Sequence, residues 1–386
     1  MDKNNGAIYD ARKLGKPKMI ILGVQHMFAM FGATILVPIL TGLDISTTLL
    51  MAGLGTLLFH CITKFKVPAF LGSSFAFLGG YAAIKAFSPN DPNSMLPYAC
   101  LGVACAGLIY FILAAVIKAV GIEKVMRFFP PVVTGPIIIA IGLGLAPSAV
   151  SNCTTNWFLA VVALAVIVVF NIWGKGMAKI IPIILGLLIS YGTGLVLYFI
   201  SQANPDLIQN VPWLFAGGAD ANGVYQPIFD FTSLNTICDN ISKGHIFGSE
   251  GLIGIPIHWD KTVFGGIDYS NGALIASSII AIVPIAFATM MEHIGDICAI
   301  SSTTGNNYIK DPGLHRTLVG DGLATTLASL FGGPANTTYG ENTGVLALTR
   351  VYDPRVIRIA AYFAVAVSFF PIVSVIIGSI PSCIIG

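Results

Sequence analysis

Three acidic side chains and one histidine carry the chemistry this sequence could perform: Glu292 and Asp296 in MEHIGD, Glu341 in TYGENTG, and His26 in VQHMF. Glu292 and Asp296 are four residues apart, which places them on one face of a helix. Two neighbouring carboxylates in a low-dielectric site cannot both ionise cheaply, so such a pair tends to hold a proton and can act as a carrier. His26 is suited to pair with a carboxylate of the same site. His60, His258, His315 and His293 read as packing residues, and Asp321 in VGDGLA as a structural group that caps a helix or holds a loop. The seven cysteines lack C-x-x-C spacing and lie mostly inside apolar runs. No metal, disulfide framework or cofactor is expected. Cys153 and Cys238 are read as inert thiols.

The elements that must position these groups are apolar runs. The chain has 386 residues, 55% hydrophobic and 10% charged, with mean hydropathy +0.83. A soluble domain carries about 25% charged residues, so this is a membrane composition. Eleven runs stand near 19–40, 45–63, 69–87, 97–119, 130–149, 157–173, 180–200, 273–300, 318–332, 335–349 and 357–377. Glu292 and Glu341 both fall inside such runs. A carboxylate at the bilayer centre costs roughly 2.5–3.5 kcal/mol on insertion scales, which argues for a functional role over a scaffold. Seventeen of the 20 lysines and arginines fall in the N-terminal tail or in every second loop, among them Lys64, Lys66, Lys124, Arg127, Lys179, Lys310 and Arg350. By the positive-inside rule the N-terminus is cytoplasmic, and the membrane is expected to be the plasma (inner) membrane. No cleavable signal peptide is visible.

The segment 201–272 is the one long polar stretch. It carries seven acidic residues and two lysines and is expected on the outer side, as an ordered cap or a linker. The halves that flank it look related. From Gln25 to Pro68 is 43 residues, and from Glu292 to Pro334 is 42. Each proline leads into a stretch rich in small and polar residues, with Gly72-Ser73-Ser74 in one and Asn336-Thr337-Thr338 in the other. Polar interruptions at corresponding positions of two halves point to the binding site of an inverted-repeat transporter. We expect a short extended segment in spans 3 and 10, near 70–75 and 335–340, the two meeting antiparallel near mid-membrane and each followed by a half-helix whose free N–H groups face the substrate. Small-residue helix packing is the plainer alternative. After the eleventh span the chain stops at the start of another, so three further spans (12–14) are expected to be absent.

QHMFAMFGATILVP, PAFLGSSFAF, EHIGD, DPGLHR and NTTYGENTGVLALTR resemble the nucleobase–ascorbate transporter family, most closely its bacterial uracil permeases. The family signature appears as Glu341-Asn342-Thr343-Gly344 followed by Thr349-Arg350, with Glu where xanthine and urate members typically have Gln. The resemblance implies an all-α, seven-plus-seven inverted-repeat symporter that imports uracil with protons. It also implies core segments at 1–128 and 273–378, a gate at 129–200, the loop 201–272 and a stub of span 12 at 379–386.

By matched motif, Glu292 and Glu341 would bind the base, and Phe75, Tyr339 and Gly340 would line the pocket. The N–H groups of Phe75 and Gly340 would donate, and Ala33 would pack against the ring. His26 would hydrogen-bond Glu341, and Glu292, Asp296, His26 and Glu341 would serve proton coupling. Asp296 stands where some uracil permeases have a histidine. The partners implied are the nucleobase, protons, membrane lipid and, for the full-length protein, a second copy; no nucleic acid is expected.

The chemistry agrees with this resemblance. Uracil's edge alternates N–H donors with carbonyl acceptors, which carboxylates and free backbone N–H groups would satisfy, while aromatic rings would cover its faces. A purine permease is the nearest alternative, followed by an anion transporter of similar architecture. An intramembrane aspartyl protease requires Gly-x-Gly-Asp, and His293-Ile294-Gly295-Asp296 and Leu318-Val319-Gly320-Asp321 both lack the first glycine.

Overall fold

The computed structural model describes residues 7–121, 123–124, 131–175, 178, 181–220, 222–249 and 251–385. Lys3, Arg127 and Lys179 of the charge pattern, the expected domain boundary at 128–129 and the first residue of the fifth run lie outside them. In chain order the elements are α1 (Lys16–Thr41), α2 (Ile45–Ile62), β1 (Leu71–Ser73), α3 (Leu78–Lys85), α4 (Leu96–Val120), α5 (Pro131–Cys153), α6 (Trp157–Trp173) and α7 (Pro182–Ala203). They continue with β2 (Ala216–Ala219), β3 (Tyr225–Pro227), α8 (Thr232–Ser242), α9 (Gly272–Ile282), α10 (Ala286–Thr304) and α11 (Leu314–Leu330). Then come β4 (Asn336–Thr338), α12 (Gly340–Thr349), α13 (Pro354–Ser368) and α14 (Pro371–Gly378), followed by a single helical turn at Ser382–Ile385.

Local chemistry sets many of these boundaries. Proline stands in the first turn of α1, α4, α7 and α13, where its missing N–H costs nothing. Asp44 caps α2 by accepting from Thr47 N at 2.7 Å. Among the described residues, five stretches are long and apolar enough to cross a membrane in one piece: Lys16–Thr41, Ile45–Ile62, Pro92–Val120, Pro182–Ala203 and Gly272–Thr304. The expected third and tenth runs are not continuous helices; each begins as an extended strand and continues as a shorter helix. The eleventh divides into α13 and α14 around the break at Phe369-Phe370.

The chain forms two compact units, Met1–Ile141 with Ile255–Phe370 and Gly142–Gly254 with Pro371–Gly386. In the first, α4 packs along α11 and α2 along α13, while α1 lies on α13 and α9 on α4. Glycine lets the backbones approach. A Cβ on Gly107 of α4 would lie 2.7 Å from Gly322 O of α11, and one on Gly322 would lie 2.6 Å from Gly107 O. Gly53 serves the α2–α13 contact in the same way, with a Cβ there 2.7 Å from Ala361 O. Without a hydrophobic driving force between helices in lipid, such close contacts supply the dispersion energy of association.

In the second unit α6 packs on α7, and Ser190 Oγ donates to Leu159 O at 2.8 Å. Part of the long polar segment is ordered here as the β2–β3 hairpin and α8, rather than running as a linker. Asn156 ties the hairpin to α6, donating to Ala216 O at 2.8 Å while its Oδ1 caps Leu159 N. Residues 255–272 of that segment belong to the first unit. Cys153 and Cys238 are both free thiols.

Candidate functional site

At the centre of the first unit the two proline-led stretches meet. β1 and β4 pair antiparallel, with Leu71 opposite Thr338, Gly72 opposite Thr337 and Ser73 opposite Asn336. The ladder is extended by Ser74 N donating to Ala335 O (2.9 Å) and Tyr339 N donating to Phe70 O (3.0 Å). Non-helical backbone survives at membrane depth only where its polar groups are satisfied inside protein. A threonine from each flanking helix helps to do this. Thr56 Oγ1 of α2 donates to Leu71 O (3.1 Å) and accepts from Leu71 N (2.9 Å), while Thr325 Oγ1 of α11 donates to Asn336 O at 2.6 Å. Asn336 Nδ2 in turn donates to Met51 O at 2.6 Å.

Each strand then turns into helix. A 3-10 turn at Phe75–Phe77 leads into α3, and α12 begins at Gly340. First-turn amides have no partner within their own helix, so both starts offer N–H donors. Phe75 is half-buried, and Gly340 and Glu341 are exposed.

Tyr339 is less available. Its hydroxyl donates to Ser73 O at 3.0 Å and lies 3.2 Å from Thr34 Oγ1, which donates to it. Ser73 Oγ donates to Thr34 O at 2.9 Å and lies 3.2 Å from Ala33 O. Tyr339 thus ties β1 to α1, and its ring covers Gly72, where a Cβ would stand 2.5 Å from two ring carbons. The Ala33 side chain is buried in the same cluster as Tyr339, Met30 and Phe70.

On α10, Glu292 and Asp296 are both half-buried. Thr338 Oγ1 donates to Asp296 Oδ2 at 2.9 Å, joining β4 to α10. Glu292 lies within electrostatic reach of Asp321 and Glu341. Asp296 lies within reach of Glu292, Asp321 and Glu341. Residues predicted from three separate runs are therefore gathered around one strand crossing. Among the described residues there is no group of His, Cys, Asp and Glu with a metal-binding arrangement.

Three expectations need correction. His26 does not bond Glu341; the Asn342 amide donates to His26 Nδ1 at 3.2 Å and to His26 O at 3.1 Å. On a ten-residue helix the neighbouring positions 341 and 342 point about 100° apart, and Asn342 is the one turned towards α1. His293 is more than a packing residue, since its Nδ1 lies 2.7 Å from Asp321 Oδ2. Asp321 neither caps a helix nor holds a loop, because it sits inside α11. A buried aspartate in an apolar run needs a partner, and that was the signal available for His293. Asn342 was visible beside Glu341 in the signature. Thr338 and Thr56 gave no sign beyond the polar character of their segments. His60 fits its packing role, with Nε2 2.9 Å from Ala69 O.

A family model described as a permease family, Xan_ur_permease, matches residues 17–386. The uracil permease of Bacillus caldolyticus is 37% identical over 378 residues, covering 95% of this chain and 75% of the relative. The probable uracil permease of Haemophilus influenzae is 36% identical over 385 residues, covering 97% and 79%. Among solved structures, the transmembrane domain of a cyanobacterial bicarbonate transporter, BicA, superposes with a TM-score of 0.55 at 14% identity, covering 98% of this chain and 88% of that one. At that identity the likeness is one of fold.

Proposed function

We propose a transport mechanism from the premise that this chain belongs to the xanthine and uracil permease family. As a multi-pass membrane permease of nucleobases it moves a solute and performs no bond chemistry; the proposal is that the solute is uracil and that protons drive its import. One observation carries it: the starts of two half-helices meet at the β1–β4 crossing, beside carboxylates on α10 and α12. Uracil's N–H groups would donate to Glu292 and Glu341, and its carbonyls would accept from the Phe75 and Gly340 amides. Phe75 would cover a ring face, while Tyr339 and Ala33 would form the wall behind it. A site of this kind rejects analogues that leave its polar groups unpaired. The uracil permeases at 36–37% identity support the same substrate.

Glu292, with Asp296 and Glu341 close by, is assigned the transported proton, and His26 acts on the site through Asn342. The architecture is assigned as a seven-plus-seven inverted repeat. In its support, α4 on α11 repeats α2 on α13, and α9 on α4 repeats α1 on α13. The core role is assigned to residues 1–128 with 273–378 and the gate role to residues 129–200. The protein lies in the inner membrane with its N-terminus cytoplasmic, in agreement with the distribution of lysine and arginine, and works as a homodimer. Uptake of labelled uracil in cells lacking their own permeases tests this reading, with unlabelled xanthine as competitor. Competition by xanthine equal to that by unlabelled uracil would extend the substrates to purines, and uptake of labelled xanthine but not of labelled uracil would reassign the substrate to purines.

A further inference from the structure

The short segment before α1 is attached to the ends of both helices that carry the site's glutamates. Ile8 N donates to Arg350 O and Tyr352 N donates to Ile8 O, each at 2.8 Å, a parallel bridge just beyond α12. Ala11 N donates to Asp353 Oδ2 at 2.7 Å. Arg355 Nη1 reaches both Asp10 Oδ1 and Asp353 Oδ2 at 3.1 Å, and Arg12 holds Asp10 through two bonds of 2.9 Å. On the other side the Tyr9 hydroxyl donates at 2.7 Å to the carbonyl of Thr304, the last residue of α10. The Tyr9 ring also meets Tyr352 edge-on, with centroids 5.4 Å apart. Ala11 is fully buried in a small cluster with Val351 and Val356.

We propose that Ile8–Ala11 is a brace that fixes the end of α12 to the end of α10, and that Tyr9 and Asp10 are positioning residues for Glu341 and Glu292. This rests on the reading of those glutamates as substrate ligands. The physical reason is the shortness of α12. Ten residues span about 15 Å, so a helix of this length moves as a rigid rod held at its two ends. β4 holds the end next to Glu341. The opposite end stops at Arg350 in the left-handed conformation, φ 55°, and the brace grips the chain there. Movement at that end is carried to Glu341.

The test is hydrogen exchange with mass-spectrometric readout on the full chain in lipid nanodiscs, with uracil affinity measured in parallel. Tyr9→Phe keeps the ring and removes only the bond to α10, and Asp10→Asn removes the ion pairs. A brace predicts that Tyr9→Phe speeds exchange not only at 302–306 but also at 350–353, about two- to tenfold for one lost hydrogen bond. Both variants should weaken uracil binding severalfold. Faster exchange confined to 302–306 would overturn the brace, and unchanged uracil affinity in both variants would overturn the positioning role. A wild-type protein that binds no uracil would count against the substrate assignment alone, since the exchange comparison still decides the brace.

Discussion

His293 Nδ1 lies 2.7 Å from Asp321 Oδ2, and both side chains are completely buried. The pair joins α10 to α11 one residue along from Glu292, so the helix that presents Glu292 is anchored by a contact hidden from the substrate. Removing one partner of a buried pair costs about 3–5 kcal/mol, because the other is left uncompensated. Asp321→Ala and His293→Ala should each destabilise the purified protein by about that amount in thermal or denaturant unfolding. The double variant should lose clearly less than the two single losses added together. Simple additivity would show that the two residues do not act as a pair.

Gly72→Ala places a methyl group 2.5 Å from the Tyr339 ring. That ring is held by bonds to Ser73 and Thr34, so it has little room to retreat. Overpacking of this kind costs typically 1–3 kcal/mol. We expect a lower unfolding midpoint together with reduced uracil affinity. Wild-type stability would mean that the β1–β4 crossing is more pliable than its hydrogen bonds imply.

Glu341→Gln replaces part of an acceptor surface with a donor. Losing a charge-assisted hydrogen bond to uracil should cost roughly 1.5–3 kcal/mol, about ten- to over a hundredfold in affinity. Calorimetric titration of uracil into wild type and variant measures it. Equal binding would remove Glu341 from the site.

Glu292→Gln imitates the protonated acid but can neither load nor release a proton. Accumulation of uracil against a gradient should be abolished while binding or exchange survives. A protonophore should likewise abolish accumulation by the wild type, and removing sodium should leave it intact. The reverse pattern would replace the proton by sodium without disturbing the nucleobase assignment.

The N-terminal brace should be insensitive to pH over the physiological range. The side-chain hydrogen bond from Arg12, assisted by the nearby Arg355, holds the Asp10 carboxyl down to about 2 from its usual 3.8. A carboxylate depressed on folding contributes its full stabilisation above the unfolded value and loses it as pH falls through the folded value. Proteolysis at residues 8–14 should therefore hold steady from pH 8 to about 5 and increase only below about 4. The probe must be an acid-tolerant protease. Increased cleavage between pH 7 and 6 would assign the clasp to some other titrating group.

Several features of this molecule were legible one short window at a time. The apolar runs at 19–40, 45–63 and 97–119 are α1, α2 and α4, because hydropathy and helix length are properties of consecutive residues. The spacing of four between Glu292 and Asp296 put them on one helical face, and the poor helix formers after Pro68 and Pro334 marked the sites of β1 and β4. That these two stretches pair antiparallel was legible as well, from their matching offsets behind the prolines. What could not be read were the strand register and the side-chain partners between distant segments. The register that sets Leu71 opposite Thr338 depends on how two hairpin-less strands are brought together by α2 and α11. The partner of His26 lies 316 positions away, and adjacent polar residues competed for it. A turn of about 100° on α12 separates Glu341 from Asn342, and only the packing of α1 against α12 decides which of them faces the histidine. Asp321 announced by its burial that it needed a partner, but which helix would supply one was settled by the fold of the whole unit.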